Sequence, residues 1–222
     1  LVLIDYLKTA AGLDIEDRRK KQTGVVRFDA GELGRHTLEI ETAGSTRGLT
    51  MSTQIDASRR VRMPLTHLGL LESQKKSIRL LLEIPEKVVI AAAPPRLGTT
   101  TTLYSLVQEH DPYTSSVVTL EDESSHELEG VDHHLVPEGT TAEKVNELLG
   151  GIIRGDPNVV MLSRLYDDKT ASMIARAAPE MRFYLGMRQD DTFSALRRWV
   201  KAVGDRRLAA HGLGAILCQR MV

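Results

Sequence analysis

An apolar run followed directly by a loop of the phosphate-binding type is the feature that most constrains the fold of this chain. The run covers residues 88–92, and the loop covers residues 93–100. Compared with the pattern Gly-x-x-x-x-Gly-Lys-Ser/Thr, the loop keeps the second glycine and the last hydroxyl, but has Ala93 for the first glycine and Thr99 for the lysine. A strand, such a loop and a helix in succession are typical of an α/β fold.

The loop has lost residues that hydrolysis needs. In an active loop, backbone N–H groups surround the phosphates, the lysine reaches the β and γ oxygens, and the hydroxyl holds Mg²⁺. Thr99 cannot supply that charge, and Arg96 puts a bulky side chain where the backbone should approach phosphate closely. The motif therefore indicates a nucleotide-hydrolase scaffold and argues against hydrolysis on it. The candidate binding residues are Pro94, Pro95, Arg96, Leu97, Gly98, Thr99, Thr100 and Thr101.

The hydrophobic pattern divides the chain into two parts joined by a basic linker. Residues 1–57 alternate as a small α+β domain, residues 58–65 form the linker, and Thr66 is predicted to cap a helix over residues 68–82. Strands and helices then alternate to residue 222, which predicts a mostly parallel sheet with ligands at the carboxyl ends of its strands. Strands are expected at residues 25–28, 36–41, 48–52, 88–92, 116–120, 158–162 and 182–187, and helices at residues 5–11, 100–109, 141–154 and 169–178.

Composition excludes several classes of partner. The 29 basic and 30 acidic residues leave a formal charge of -1, and only 4% of residues are aromatic, so neither a basic field nor a stacking platform for nucleic acid is expected. The single cysteine, Cys218, excludes a disulfide framework and a multi-cysteine zinc site within these residues. We expect no metal at Asp132-His133-His134, because neighbours on an extended chain point to opposite faces. The absence of an initiator Met predicts a piece of a longer polypeptide.

Five short motifs, in order along nearly the whole chain, carry a family resemblance. Residues 14–24, Asp-Ile-Glu-Asp-Arg-Arg-Lys-Lys-Gln-Thr-Gly, resemble Asp-Ile-Ala-Glu-Arg-Arg-x-Pro-Gln-Asp-Gly of the motor ATPases of type II secretion and type IV pilus assembly. Residues 98–104 are similar to their Gly-Lys-Thr-Thr-Thr-Leu-Tyr, and residues 119–122 to Thr-Ile-Glu-Asp. Residues 153–161 resemble Leu-Arg-Gln-Asp-Pro-Asp-Val-Ile-Met, and residues 219–222 resemble Gln-Arg-Leu-Val. The chain is identified as a member of this family.

The resemblance implies a fold, a cofactor and partners. Residues 1–57 would be a PAS-like domain and residues 66–222 a RecA-like P-loop ATPase core. The family binds ATP with Mg²⁺, forms rings of six copies and acts on platform proteins of the inner membrane. The resemblance therefore implies a cytoplasmic protein, peripheral to the inner membrane, that forms a hexamer or a hetero-oligomer with an intact motor ATPase.

The chain departs from the family where the chemistry would be. Arg164 replaces the glutamate of the Walker B segment, which reverses a charge next to a divalent cation. Residues 187–192 stand where the family has its histidine box, yet no histidine lies between His134 and His211. Glu39 lies near a strand position at which the family carries an arginine. Glu121 is the candidate general base or water-orienting carboxylate if activity remains.

Three functions stay open at this point. Loss of the lysine, glutamate and histidine together favours a pseudo-ATPase with a structural or regulatory role in the secretion apparatus. An active motor is the alternative, and a nucleotide-binding switch without turnover is the third, because Arg96 and Arg164 could bind phosphate oxygens bidentately. The simpler interpretations are a rigid turn at Pro94-Pro95 and a surface turn at Glu121-Asp122.

Overall fold

The chain folds into two compact units, described here from a computed structural model. The structure describes residues 2–29, 31, 35–46, 48–55, 63–84, 86–122 and 128–220. The first unit is Leu1–Arg60 and the second is Val61–Val222. Of the predicted linker, residues 58–62 lie outside the described residues, and Leu65 is already buried in the second unit.

The first unit is one helix and a three-stranded antiparallel sheet. The helix α1 (Val2–Ala10) is followed by β1 (Gln22–Asp29), β2 (Arg35–Ser45) and β3 (Gly48–Ile55), which pair in chain order. The three predicted strands are confirmed, and each is longer than its alternating pattern. Ile40 and Thr42 of β2 are buried, and the buried Lys8 ammonium donates to the carbonyl of Asp17 at 2.8 Å. The PAS-like assignment stays a prediction.

The second unit is a six-stranded parallel sheet with helices on both faces, which confirms the predicted α/β class. The strand order is β6-β5-β7-β8-β4-β9, and all five neighbouring pairs are parallel. The described part of the second unit begins with a 3₁₀ turn at Leu65–His67. The helices and strands that follow the turn are α2 (Glu72–Leu82), β4 (Lys87–Ala93), α3 (Thr99–Val107), β5 (Val117–Glu121), β6 (Asp132–Leu135), α4 (Ala142–Arg154), β7 (Val159–Leu162), α5 (Asp168–Ala177), β8 (Arg182–Arg188), α6 (Thr192–Val203), α7 (Arg206–Gly212) and β9 (Leu213–Cys218).

The predicted start of the helix before β4 is wrong. Thr66 lies inside the 3₁₀ turn, and α2 begins only at Glu72. Leu71 is extended, and its N–H donates to the side-chain oxygen of Gln74 at 2.9 Å. Leu71 therefore takes the N-cap position predicted for Thr66, and Gln74 satisfies its backbone N–H.

The apolar run of β4 is buried on both faces, as a central parallel strand should be. Val88, Ile90 and Ala92 face one cluster, whereas Val89 and Ala91 face the other. The first cluster also contains side chains of α4, α5, α6 and α7, and the second contains side chains of α2 and α3. This packing fixes the directions of the strands, so that their carboxyl ends meet at one edge.

Candidate functional site

The predicted site residues lie at the carboxyl edge of the parallel sheet. The strands β4, β5, β7, β8 and β9 end there, and the segments that follow them are neighbours because the strands are. The predicted loop follows β4, Glu121 closes β5, and Arg164 stands two residues after β7. The fold thus brings to this edge predicted site residues as far apart in the sequence as Pro94 and Arg164, which are separated by 70 positions.

The β4–α3 loop (residues 94–98) has an unusual backbone. Gly98 has φ 88° and precedes the first residue of α3, and Arg96 has φ 64°, a left-handed value that a side chain disfavours. The N–H of Leu97 donates to the carbonyl of Pro94 at 3.2 Å. Left-handed residues that alternate with a right-handed one are typical of a nest, a concave anion-binding site toward which successive backbone N–H groups point.

Gln219 ties this loop to the end of β9. Its backbone N–H donates to the carbonyl of Ala92 at 3.0 Å, its side-chain nitrogen donates to the carbonyl of Leu97 at 2.7 Å, and its side-chain oxygen accepts from the hydroxyl of Thr102. A Cβ at Gly98 would lie 2.8 Å from that nitrogen, so a side chain there would displace the Gln219 amide, and the left-handed φ favours glycine in any case. Sequence reasoning placed Gln219 in a motif but gave it no role.

The position at which the phosphate-binding motif has its lysine carries no charge in this chain. Thr99 is the first residue of α3 and is half-buried. Cys218 pairs in register with Ala92 at the end of β4. Partial burial raises the pKa of the Cys218 thiol, and the negative charges of Asp191 and Asp190 raise it further.

Glu121 is buried in a polar cluster and not at the surface, so the surface-turn interpretation is wrong for this residue. It is 1% exposed, and its two oxygens accept from the Tyr104 hydroxyl and from the Thr119 hydroxyl at 2.6 Å. His133 Nδ1 lies 3.0 Å from the same carboxylate, while Nε2 accepts from the N–H of Leu128 at 2.9 Å, which assigns the ring proton to Nδ1. Three donors therefore occupy the carboxylate predicted to activate water.

Arg164 forms an ion pair across the ends of β7 and β5. Its Nε donates to Asp122 Oδ2 at 2.6 Å, and its guanidinium lies 4.5 Å from the centre of the Tyr166 ring. The hydrogen bond to Asp122 raises the pKa of Arg164, and burial raises the pKa of Tyr166 to about 12. Both side chains are partly exposed, at 49% for Arg164 and 38% for Asp122, and the pair places a positive charge beside the carboxylate that adjoins Glu121.

The described side chains do not fit the ATP and Mg²⁺ that the family resemblance implies. Asp122 is paired with Arg164, Glu121 is held by three donors, and Thr99 supplies no cation. Within the described ranges, no three His, Cys, Asp or Glu side chains are arranged to hold a metal ion. His133 contacts Glu121, whereas His134 contacts Asp132 at 3.1 Å.

Comparison with known proteins gives one family. A family model described as "Type II/IV secretion system protein" matches residues 1–222. Type II secretion system protein E of Pseudomonas aeruginosa is 26% identical over 223 residues, covering 100% of this chain and 44% of that protein. The chain therefore spans less than half the length of this curated relative. No described helix is long and apolar enough to cross a membrane.

Solved structures share the fold. The pilus retraction motor PilT, crystallised with bound ADP, matches with a TM-score of 0.63 at 18% identity, covering 92% of this chain and 60% of that one. The Legionella pneumophila ATPase DotB matches with a TM-score of 0.62 at 16% identity, covering 86% of this chain and 54% of that one. At these identities the likeness establishes the RecA-like fold of secretion and pilus ATPases.

Proposed function

We propose that this chain, which belongs to the type II/IV secretion system protein family, is a pseudo-ATPase. It keeps the fold of the family's ATPases and does not hydrolyse ATP. Its role is structural or regulatory within a secretion or pilus apparatus. Because the chain spans 44% of the length of a curated relative, this role is proposed for the protein to which the chain belongs.

The ion pair between Arg164 and Asp122 is the observation that carries the proposal. A Walker B carboxylate acts beside Mg²⁺ and the attacking water, and a guanidinium there repels the metal. At 2.6 Å, Arg164 also uses the nearest remaining carboxylate as its own counter-ion. The edge therefore offers a neutral pair where the reaction needs negative charge.

Two further losses support the same function. Thr99 removes the cation that would meet the β and γ oxygens, and loss of such a cation costs about 10³ to 10⁵ in rate. Glu121 would have to break contacts with Tyr104, Thr119 and His133 before it could activate water. The losses act on different parts of the reaction, so restoring one residue does not restore turnover.

The partners follow from the family and remain part of the proposal. We place the protein on the cytoplasmic side of the inner membrane, in contact with platform components of the secretion or pilus system. It takes part there as a hexamer or as a hetero-oligomer with an intact motor ATPase. We also propose that residues 1–57 form a PAS-like domain and residues 66–222 an ATPase-type domain, joined by a linker at residues 58–65.

A second candidate function is a nucleotide-binding switch without turnover. The left-handed Arg96 and Gly98 favour it, because a nest of backbone N–H groups binds phosphate without a lysine. Arg96 is exposed on this loop and its charge is available in place of the lysine. Binding and turnover measured separately distinguish this switch from the pseudo-ATPase.

Isothermal titration of the chain with ATP and Mg²⁺ tests the proposal. We expect no binding heat at millimolar ATP for the native chain and weak binding after Thr99→Lys, which restores the phosphate cation. The matched control is Thr114→Lys, which adds the same charge at an exposed position before β5, at the opposite edge of the sheet. Micromolar binding by the native chain would favour the switch if no phosphate is released, and the active motor if it is.

A further inference from the structure

The β4–α3 loop contains a strained residue, Arg96, whose backbone conformation needs stabilising contacts. Arg96 at φ 64° is in a left-handed conformation that is unfavourable for a residue with a side chain, because its Cβ crowds the following carbonyl. Such conformations persist only where surrounding contacts over-determine them. The proposed function provides no bound ligand that could supply them.

Gln219 makes the contacts that reach this loop from another element. Its side chain bridges the carbonyl of Leu97, inside the loop, and the hydroxyl of Thr102, in the first turn of α3. Both atoms of the amide are used, one as donor and one as acceptor, so the side chain has a single defined orientation. Its backbone N–H bonds the carbonyl of Ala92 at 3.0 Å, which fixes Gln219 itself on β4.

The bridge is packed as well as hydrogen-bonded. The side-chain nitrogen lies 2.8 Å from the place where a Cβ on Gly98 would stand, so the amide fills the space left by that glycine. Thr102 is 5% exposed, and a buried hydroxyl that loses its hydrogen-bond partner carries a desolvation cost. The Gln219 side chain therefore packs against the loop on the side that faces β9.

We propose that Gln219 is a positioning residue that straps the β4–α3 loop to the end of β9 and holds the loop in shape with no ligand bound. The strap goes beyond the proposed function, because it acts whether or not ATP binds. A movement at the end of β9 also affects the loop, because a shift of Gln219 breaks the side-chain hydrogen bonds to Leu97 and Thr102 together. The loop is thus linked to the sheet edge by a side chain.

Hydrogen exchange of the backbone amides tests the strap. The reporters are Leu97, which donates to Pro94 within the loop, and Thr102, which donates to Gly98 at 3.0 Å. Gln219→Ala removes both side-chain bonds, and we expect exchange at Leu97 and Thr102 to rise about tenfold while amides in the middle of β4 and β7 keep their native rates. The matched control is Gln189→Ala at the same edge, whose side chain makes no hydrogen bond with the described part of the loop.

A second pair of variants guards against general destabilisation. Thr102→Val removes the hydroxyl at nearly constant volume and should speed exchange at Leu97 several-fold, whereas Thr102→Ser keeps the hydroxyl and should restore native exchange. Unchanged exchange at Leu97 in Gln219→Ala would overturn the strap. Equal acceleration throughout the sheet would overturn it too, because the effect would then be on global stability. If Gln219→Ala does not fold, the valine and serine variants decide the question.

Discussion

Arg164 stands where the family resemblance predicts a glutamate, and the structure shows which carboxylate it pairs with. The sequence reveals the reversed charge, because a glutamate is expected after the Walker B strand. It does not reveal the counter-ion, since Asp122 lies 42 positions away and only the neighbouring positions of β5 and β7 bring the two together. Glu121 is similar, because the sequence predicts it as a site residue but does not predict its contact with His133 of β6, a strand without a recognisable pattern.

His110 gives the stability of the second unit a predictable pH dependence. The ring lies 2.7 Å from the Tyr184 hydroxyl, and burial, with the nearby charge of Arg182, lowers the pKa of His110 below 6.5. The folded state thus favours the neutral ring, so its stability is complete above pH 6.5 and is lost as the pH falls toward the lowered pKa. We expect the urea midpoint to fall between pH 7 and pH 5, and His110→Gln to reduce that fall.

The control for this prediction is His67→Gln, which replaces an exposed histidine. In this variant we expect the urea midpoint to fall between pH 7 and pH 5 as much as it does in the native chain. An equal fall in His110→Gln and in the native chain would show that other groups cause the pH dependence.

At the scale of elements, the helices and strands with strong periodic patterns could be predicted, and those without them could not. β6 is four residues long and reads Asp-His-His-Leu, with no apolar alternation. β9 starts directly after α7, with no turn between Gly212 and Leu213 to mark the change. α6 had a usable signal that was missed, since Asp191 caps its start, Trp199 lies on its buried face and Gly204 ends it.

Gly186 controls how closely β8 approaches the segment that carries Arg164. A Cβ at this glycine would lie 2.0 Å from the carbonyl oxygen of Ser163, which is backbone and cannot move aside. We expect Gly186→Ala to lower the free energy of unfolding by about 3 kcal/mol, measured by urea denaturation. Gly151→Ala is the opposite case, because its Cβ would meet only the Arg154 guanidinium at 3.9 Å on an exposed part of α4.

For Gly151→Ala we expect a gain of roughly 0.5–1 kcal/mol from higher helix propensity. The two alanines therefore change stability in opposite directions, for steric and for conformational reasons respectively. A stable Gly186→Ala variant would mean that β8 and Ser163 do not make this close approach.

At the scale of the whole molecule, the order of the motifs was enough to predict the class of fold. The strand, loop and helix around Gly98, followed by further alternating elements, imply a parallel sheet with its loops at one edge. The contacts at that edge could not be predicted, because they join residues from separate strands. Gln219 is the clearest case, since its partners Leu97 and Thr102 are more than 115 positions away.

Phosphate release from saturating ATP and Mg²⁺ tests the central claim most directly. The account predicts that the chain releases phosphate no faster than buffer alone, because Thr99, Arg164 and the enclosed Glu121 remove charge, metal and base from the reaction. Release that rises in proportion to the concentration of the chain, and that is lost in Glu121→Gln, would contradict it and identify an active ATPase.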